Sequence, residues 1–391
     1  MHYDLIIIGG GLVGAGLAAA LRDSDKRIAL IDARMPSNED PRLFALNHGS
    51  CAVLKNLGLW PQLTSHAEAI HQVHVSKRGQ FGAVRLHRED VALAYLGYVI
   101  PACYIEAALN ALLLSLENVT IYRPAVLTEL TQQADMNQVT INIDGEFVSM
   151  TSPIVLGADG TESTVRAQLK IDAEVIEYGQ HAIVTRTELQ RHHRHVAYER
   201  FNEHGAIAML PLAENECATI WTADQSAAAS LMALSDADFL QALQREFGYR
   251  LGRLMSIKRR HTFPLRMVRA KQNVKAGVML LGNAAHTLHP IAAQGFNVAL
   301  YEVATLAEIL RQENTVDLHA VWLQVEKQMG ASMTMSHQLA DLFNHSSLLL
   351  KYVLPIGMVG LDKTPALKRL FMTKLLGRSG RVPPLLSANE G

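Results

Sequence analysis

Short, uninterrupted apolar runs punctuate this chain, and such runs predict strands buried on both faces. Tyr3 to Ile8, Ile28 to Ile31, Ile154 to Leu156 and Val278 to Leu281 are of this kind, and Val119 to Tyr122 predicts a further strand. Helical spacing follows the first run from Leu12 to about Arg22. It returns over 101–116, where Ile105, Leu109, Leu112 and Leu116 share one stripe. Alternation over Val73 to Arg88, and several β-type runs between His181 and Trp221, predict a second strand-rich region. Val139 to Met150 reads as a hairpin turning at Asp144-Gly145. Arg34 to Ser50 is rich in Pro, Asn, Asp and Arg and predicts a loop leading to a helix near 50–57. Phe239 to Phe247 predicts a helix. From Gln294 onward the pattern is helical, with breaks expected near Glu313-Asn314, Pro355 and Pro365.

These elements predict an α/β chain in which one nucleotide-binding part is discontinuous. Its expected pieces are 1–70, 98–178 and 261–330. A β-rich layer is expected at 71–97 and 179–260, and a helical carboxyl region at 331–391.

Composition narrows the class. The 391 residues are 49% apolar and 19% charged, with a net charge of −1 and no basic tract, which points away from nucleic acid. Cys51, Cys103 and Cys217 are far apart and lack metal-ligand spacing, so they read as core thiols of a reducing compartment. The amino-terminal apolar run is too short and lacks the basic leader of a signal peptide. No apolar run reaches the ~20 residues needed to span a bilayer. The expectation is a soluble cytoplasmic protein, or one peripheral to the inner face of the membrane.

The first candidate chemistry lies where the first strand meets the first helix. Gly9, Gly11 and Gly14 fill the positions of a GxGxxG turn. The first permits the sharp turn, the second lets backbone approach a pyrophosphate, and the third lets helix and strand pack closely. The helix amino end, at Leu12 and Val13, favours phosphate anions. The second strand ends in Asp32, placed to accept hydrogen bonds from ribose hydroxyls. Strand, turn, helix and acid together predict dinucleotide binding.

Two later segments sharpen this. Gly157-Ala158-Asp159-Gly160 follows a buried strand and leads to Arg166, which could neutralise Asp159 or a phosphate. Its plainer reading is an Asp-Gly turn capped by Ser163. Gly282-Asn283 leads through His286, His289 and Pro290 to Ala293-Gln294-Gly295-Phe296-Asn297. The three segments, in this order, resemble the FAD-dependent aromatic hydroxylase family. That family carries a GxGxxG turn, a DG segment and a GDxxHxxxPxxGQG segment. The likeness covers the chain to about residue 311. Gly-Asn followed by Thr-Leu-His-Pro-Ile, Leu57-Gly58-Leu59-Trp60 and Leu96-Gly97-Tyr98-Val99-Ile100 resemble the family's ubiquinone-pathway branch.

The resemblance implies a Rossmann-like FAD-binding domain with an inserted β-rich substrate domain. It implies non-covalent FAD, transient NAD(P)H as reductant, dioxygen, and a polyprenylated methoxyphenol hydroxylated through a C4a-hydroperoxyflavin. It further implies cofactor contacts from Gly9, Gly11, Leu12, Val13, Gly14, Asp32, Ala33, Arg34, Arg42, Glu106, Val126, Asp159, Gly282, Asn283, Pro290, Ala293, Gln294, Gly295, Phe296 and Asn297. His289, Pro290 and Gly295 would stand nearest the reacting ring. Asn283 replaces the family's aspartate, Ala293 its first GQG glycine, and Glu302 a usual aspartate.

Other features read more plainly. His286 and His289 lack a nearby Cys, Asp or Glu to complete a metal site, and no metal is expected. Arg191-His192-His193-Arg194-His195 reads as a solvated hairpin loop. Leu367-Lys368-Arg369-Leu370-Phe371-Met372 is amphipathic and basic. It suits either a membrane surface or partner, or packing on its own domain. Two rival functions share these motifs: a non-oxygenating reductase of a prenyl lipid, and a flavin-bearing subunit of a biosynthetic complex.

Overall fold

The computed structural model describes residues 1–36, 40–133, 135–203, 205–288, 294–313, 316–327, 348–376 and 382–387. Its centre is a six-stranded sheet ordered Val274–Lys275, Val278–Leu280, Ile154–Gly157, Leu5–Ile8, Ile28–Ile31 and Val119–Tyr122. All neighbours are parallel except the first pair. Leu5–Ile8 and Ile28–Ile31 are buried at every position, as uninterrupted apolar runs require. Helices Leu12–Ala20, Ala102–Leu113 and Gln294–Gln312 pack with this sheet in one core.

A larger sheet carries the β-rich layer. Its order is His286–Thr287, His261–Ala270, Ala173–Leu189, Glu216–Asp224, Ala206–Pro211, Val196–Phe201, Gln72–Lys77 and Ala83–His87, with Leu254–Ile257 pairing to Ala173–Leu189. Helices Gln225–Ala233 and Asp236–Phe247 cover one face. The predicted hairpin is present as Met136–Ile143 and Glu146–Ser152, and Asp144 and Gly145 both take positive φ.

Four expectations need correction. The segment read as a loop over 34–50 contains the strand Leu43–Asn47, which pairs antiparallel with Gly97–Pro101. That pairing supplies the hydrogen bonds that local composition argues against. Asn47 then caps the next helix, His48–Asn56, accepting from the Ser50 amide at 2.9 Å. Pro355 does not break its helix, which runs Leu348–Lys363. The missing amide costs a bond, but this helix is held by packing on the strand Ala83–His87 and the helix Pro365–Leu375. The histidine loop is not uniformly solvated. His193 is buried, and its ring nitrogens bond the Leu212 carbonyl at 2.6 Å and the His195 amide at 3.0 Å. Of the thiols, Cys51 and Cys217 are buried as expected, whereas Cys103 is half-buried.

Among the described residues, no helix is long and apolar enough to cross a membrane.

Candidate active site

Sheet geometry brings the glycine turn and the DG segment together. Ile154–Gly157 lies beside Leu5–Ile8, so the two strands end side by side. Gly9 has φ +106°, and a Cβ there would stand 2.4 Å from the Ala158 carbonyl oxygen. Only glycine serves at this contact. Gly14 is equally constrained, since a Cβ would stand 1.9 Å from the Gly9 carbonyl oxygen. At Gly11 a Cβ would meet no protein atom within 4 Å, because this residue opens on a cavity. No side chain caps the helix at Gly11, which leaves its first-turn amides for a ligand.

The cavity has a volume of about 1180 Å³. Ordinary ligand pockets occupy ~300–1,000 Å³, so a dinucleotide and a second molecule can share this one. Gly9, Gly11, Leu12, Val13, Asp32, Ala33, Arg34, Arg42, Val126, Asp159, Asn283, Gln294, Gly295, Phe296 and Asn297 all line it. Residues from five separate stretches of sequence thus meet in one space. Gly14 and Gly282 support the wall from behind. Glu106 lines a separate small void with Gly10, Gly11 and Leu12. His289, Pro290 and Ala293 lie outside the described residues.

Several side chains have further duties. The Asp159 carboxylate accepts from Ser163 Oγ at 2.6 Å and the Val165 amide at 3.0 Å, while Ser163 caps the helix Thr164–Gln168. Arg166 does not neutralise Asp159. Its guanidinium donates to the Ala284 and Thr161 carbonyls at 2.9 and 2.8 Å, tying the DG segment to the Gly282 loop. Arg42 pairs with Asp40 at 2.6 Å and lies over the Phe44 ring. Asn297 accepts from the Asn47 amide and donates to the Ala45 carbonyl, both at 2.9 Å, fixing the long helix to the Leu43–Asn47 strand. Phe44 and Phe296 pack with ring centres 4.5 Å apart.

Behind the Gly282 loop sits a buried carboxylate. Glu302 is fully buried, and its Oε2 accepts from the Gly282 amide at 2.8 Å. Its other oxygen is 3.3 Å from His286 Nε2, without hydrogen-bond geometry. Burial pushes Glu302 up to about 8 and His286 down to about 4. The contact therefore joins a protonated acid to a neutral imidazole near pH 7, not two charges.

Sequence reasoning missed other residues of this site. Arg123 is half-buried beside the glycine turn, 3.9 Å from Asp32 and bonded to Asn110 at 2.8 Å. Its only local signal was its position just after a strand. Phe44 and Glu199 line the cavity, as do Met358, Leu361, Phe371, Met372 and Leu375 of the carboxyl-terminal helices. None of these carries a motif.

Residues 2–315 match the profile of the FAD-binding domain family. The chain belongs to this family of FAD-binding flavoproteins. It is 31% identical to ubiquinone hydroxylase UbiL of Rhodospirillum rubrum, over 98% of this chain and 92% of that protein. It is 25% identical to 3-demethoxyubiquinol 3-hydroxylase of Escherichia coli, over 96% and 98% of the two chains. Among solved structures, p-nitrophenol 4-monooxygenase from Pseudomonas putida superposes with a TM-score of 0.78 at 16% identity, covering 96% of this chain and 99% of that one. FAD is the cofactor of this flavoprotein, and flavin-dependent aromatic hydroxylation is its reaction class. The resemblance drawn from the three motifs is borne out.

Proposed function

We propose that this flavoprotein hydroxylates the ring of a polyprenylated methoxyphenol on the way to ubiquinone, using FAD, NAD(P)H and dioxygen. The observation that carries the reading is the cavity's two-ended character. One end is built from the glycine turn, Asp32, Arg42, Asp159 and Asn283. The other is walled by Val73, Val84, Ile220, Met358, Leu361 and Phe371, a surface suited to an apolar ring and the prenyl tail attached to it. The names of the ubiquinone hydroxylases it resembles support the same substrate class.

The residues fit non-covalent FAD. The bare backbone of Gly11 and the helix amino end would receive the pyrophosphate, with Gly9 making the turn that lets it approach. Asp32 accepts ribose hydroxyls, with Arg123 steadying its carboxylate. Asn283 offers a donor and an acceptor to the ribityl chain. Gln294 and Gly295 begin a long helix whose positive end faces the cavity, where it favours negative charge on a reduced ring. Bound FAD would supply the chemistry that activates dioxygen, and the cavity walls would orient the phenol ring and keep water away from it. In this reading the chain divides into a discontinuous FAD part and an inserted substrate layer, and the strand His261–Ala270 pairs with Ala173–Leu189 in the larger sheet.

The same reading places the carboxyl-terminal helices against a lipid surface. Ile356, Leu367 and Leu370 are exposed beside Lys363 and Arg369, while Met358, Leu361 and Phe371 of the same helices line the cavity. A tail could thus pass from membrane to cavity without crossing water.

The test is oxygen consumption coupled to mass-detected ring hydroxylation, with a prenylated methoxyphenol and with the same ring lacking its tail. The tailed ring is expected to be turned over far more efficiently. Reductant oxidation without an oxygen atom entering the ring would instead indicate a non-oxygenating reductase.

A further inference from the structure

One acid stands alone in the apolar half of the cavity. Glu199 lies mid-strand in Val196–Phe201, paired with Val75 on one side and Ala208 on the other. Val84 pairs with Val75, and Ile220 with Ala208. The five residues form a row across the large sheet, and all five line the cavity. Along its own strand Glu199 is flanked on this face by Ala197 and Phe201, which also line the cavity. Opposite stand Met358, Leu361, Phe371, Met372 and Leu375.

Charged groups on the surrounding elements are directed elsewhere. Arg200 bonds the Glu246 carbonyl, and His74 contacts Tyr198. Arg85 and Lys368 pair with Asp362, and Lys368 also with Asp90. Lys77 and Arg250 are not among the residues lining the cavity. Of the other polar side chains here, Thr222 has its hydroxyl bonded to the Ala206 amide and carbonyl, and Tyr198 packs its ring against His74 and Phe247. Glu199 is half-buried by surface exposure, yet burial alone pushes it up to about 7. Both facts follow if its accessible surface faces the interior of the cavity. A lone carboxylate among apolar walls is costly to stability, and such groups are retained where chemistry needs them.

The geometry points to Glu199 as the residue that receives the phenolic proton of the substrate. This inference rests on the phenolic substrate proposed above and adds the base that the flavin motifs do not supply. The ring's O–H bond breaks, the proton passes to a Glu199 carboxylate oxygen, and the electron pair stays on the phenol oxygen. Electron density rises at the ring positions ortho and para to that oxygen, which is where hydroxylation requires it. The carboxylate must be ionised first, so activity rises with pH through about 7.

The test uses the FAD-loaded enzyme and a geranyl-substituted nitrophenol, whose phenolate is read from its visible absorbance without turnover. Two acids in contact cannot both ionise easily, so bound probe in the wild type should become fully phenolate only at a pH raised by about one unit or more. In Glu199→Gln the probe should titrate as an isolated phenol, with flavin content unchanged. In the same variant kcat/KM for the tailed methoxyphenol should fall roughly 100-fold above neutrality and lose its rise through pH 7. Glu199→Ala provides the same comparison should Gln fold poorly. A probe that binds and titrates identically in wild type and variants overturns the role of Glu199 and leaves the substrate reading standing. A probe that does not bind the wild type at all overturns both.

Discussion

Two glycines only three residues apart should fail in different ways when each is given one methyl group. In Gly14→Ala, the new Cβ would stand 1.9 Å from the Gly9 carbonyl oxygen and 3.0 Å from Ile7 Cγ2. Helix and turn must part by about an ångström before that contact becomes tolerable. The obstacle is backbone, which cannot rotate aside. Overpacking of this kind costs about 1–3 kcal/mol. For a chain of this length that is roughly 1–4 °C of melting temperature in the flavin-free protein. In Gly11→Ala the methyl meets no protein atom within 4 Å, and Gly11 already has φ −68°, which alanine adopts freely. The flavin-free protein should melt unchanged. The methyl would instead occupy space that the pyrophosphate needs, weakening FAD by about 1–3 kcal/mol, or roughly 5- to 150-fold. Melting of the flavin-free protein and fluorescence titration with FAD separate the two effects. If Gly11→Ala binds FAD as the wild type does, no phosphate lies against this turn. If Gly14→Ala keeps both melting temperature and affinity, the close packing of helix on strand is not what holds the site.

Asn283→Leu should cost FAD roughly 1–3 kcal/mol of affinity by leaving a ribityl hydroxyl unpaired, while Asn283→Asp should bind comparably; equal titrations for Leu and wild type would remove Asn283 from the site. Glu302→Gln tests the buried pair through pH. A raised acid contributes stability fully below its unfolded value of 4.5 and loses it as pH climbs toward about 8. The depressed His286 contributes above 6.5 and loses that as pH falls toward about 4, so the two slopes oppose each other between 4.5 and 6.5. From pH 6.5 to 8 Glu302 acts alone, and the wild type should lose about 2 kcal/mol relative to Glu302→Gln. Denaturant curves that stay parallel across that window would refute this. On anionic vesicles, Ile356→Asp with Leu370→Asp should reduce co-sedimentation several-fold at unchanged flavin content, and undiminished binding would argue against a lipid-facing helix pair.

The amino-acid sequence alone determined those parts of the protein that are built locally. The Leu5–Ile8 strand, the glycine turn, the following helix and Asp32 lie within one short stretch, and their spacing is the geometry of a dinucleotide turn. The Asp144-Gly145 hairpin was legible for the same reason, since two residues set its backbone. The motif at 282–297 was readable as a likeness, and its Asn283, Gln294, Gly295 and Phe296 do reach the cavity. What depends on distant pairing was not legible. Leu43–Asn47 becomes a strand only because Gly97–Pro101 lies beside it. The helix through Pro355 persists because its packing outweighs one lost hydrogen bond. Arg166 lies close to Asp159 in the chain yet serves carbonyls of two loops, because the fold brings Ala284 within reach. Glu199 shows the limit most clearly. In sequence it is one acid in a polar stretch, Tyr198-Glu199-Arg200. Strand register decides that it shares a row with Val84, Val75, Ala208 and Ile220. The return of the carboxyl-terminal helices then encloses it. Local pattern fixes which backbone a segment prefers, whereas only the tertiary structure fixes which face of that segment meets the cavity.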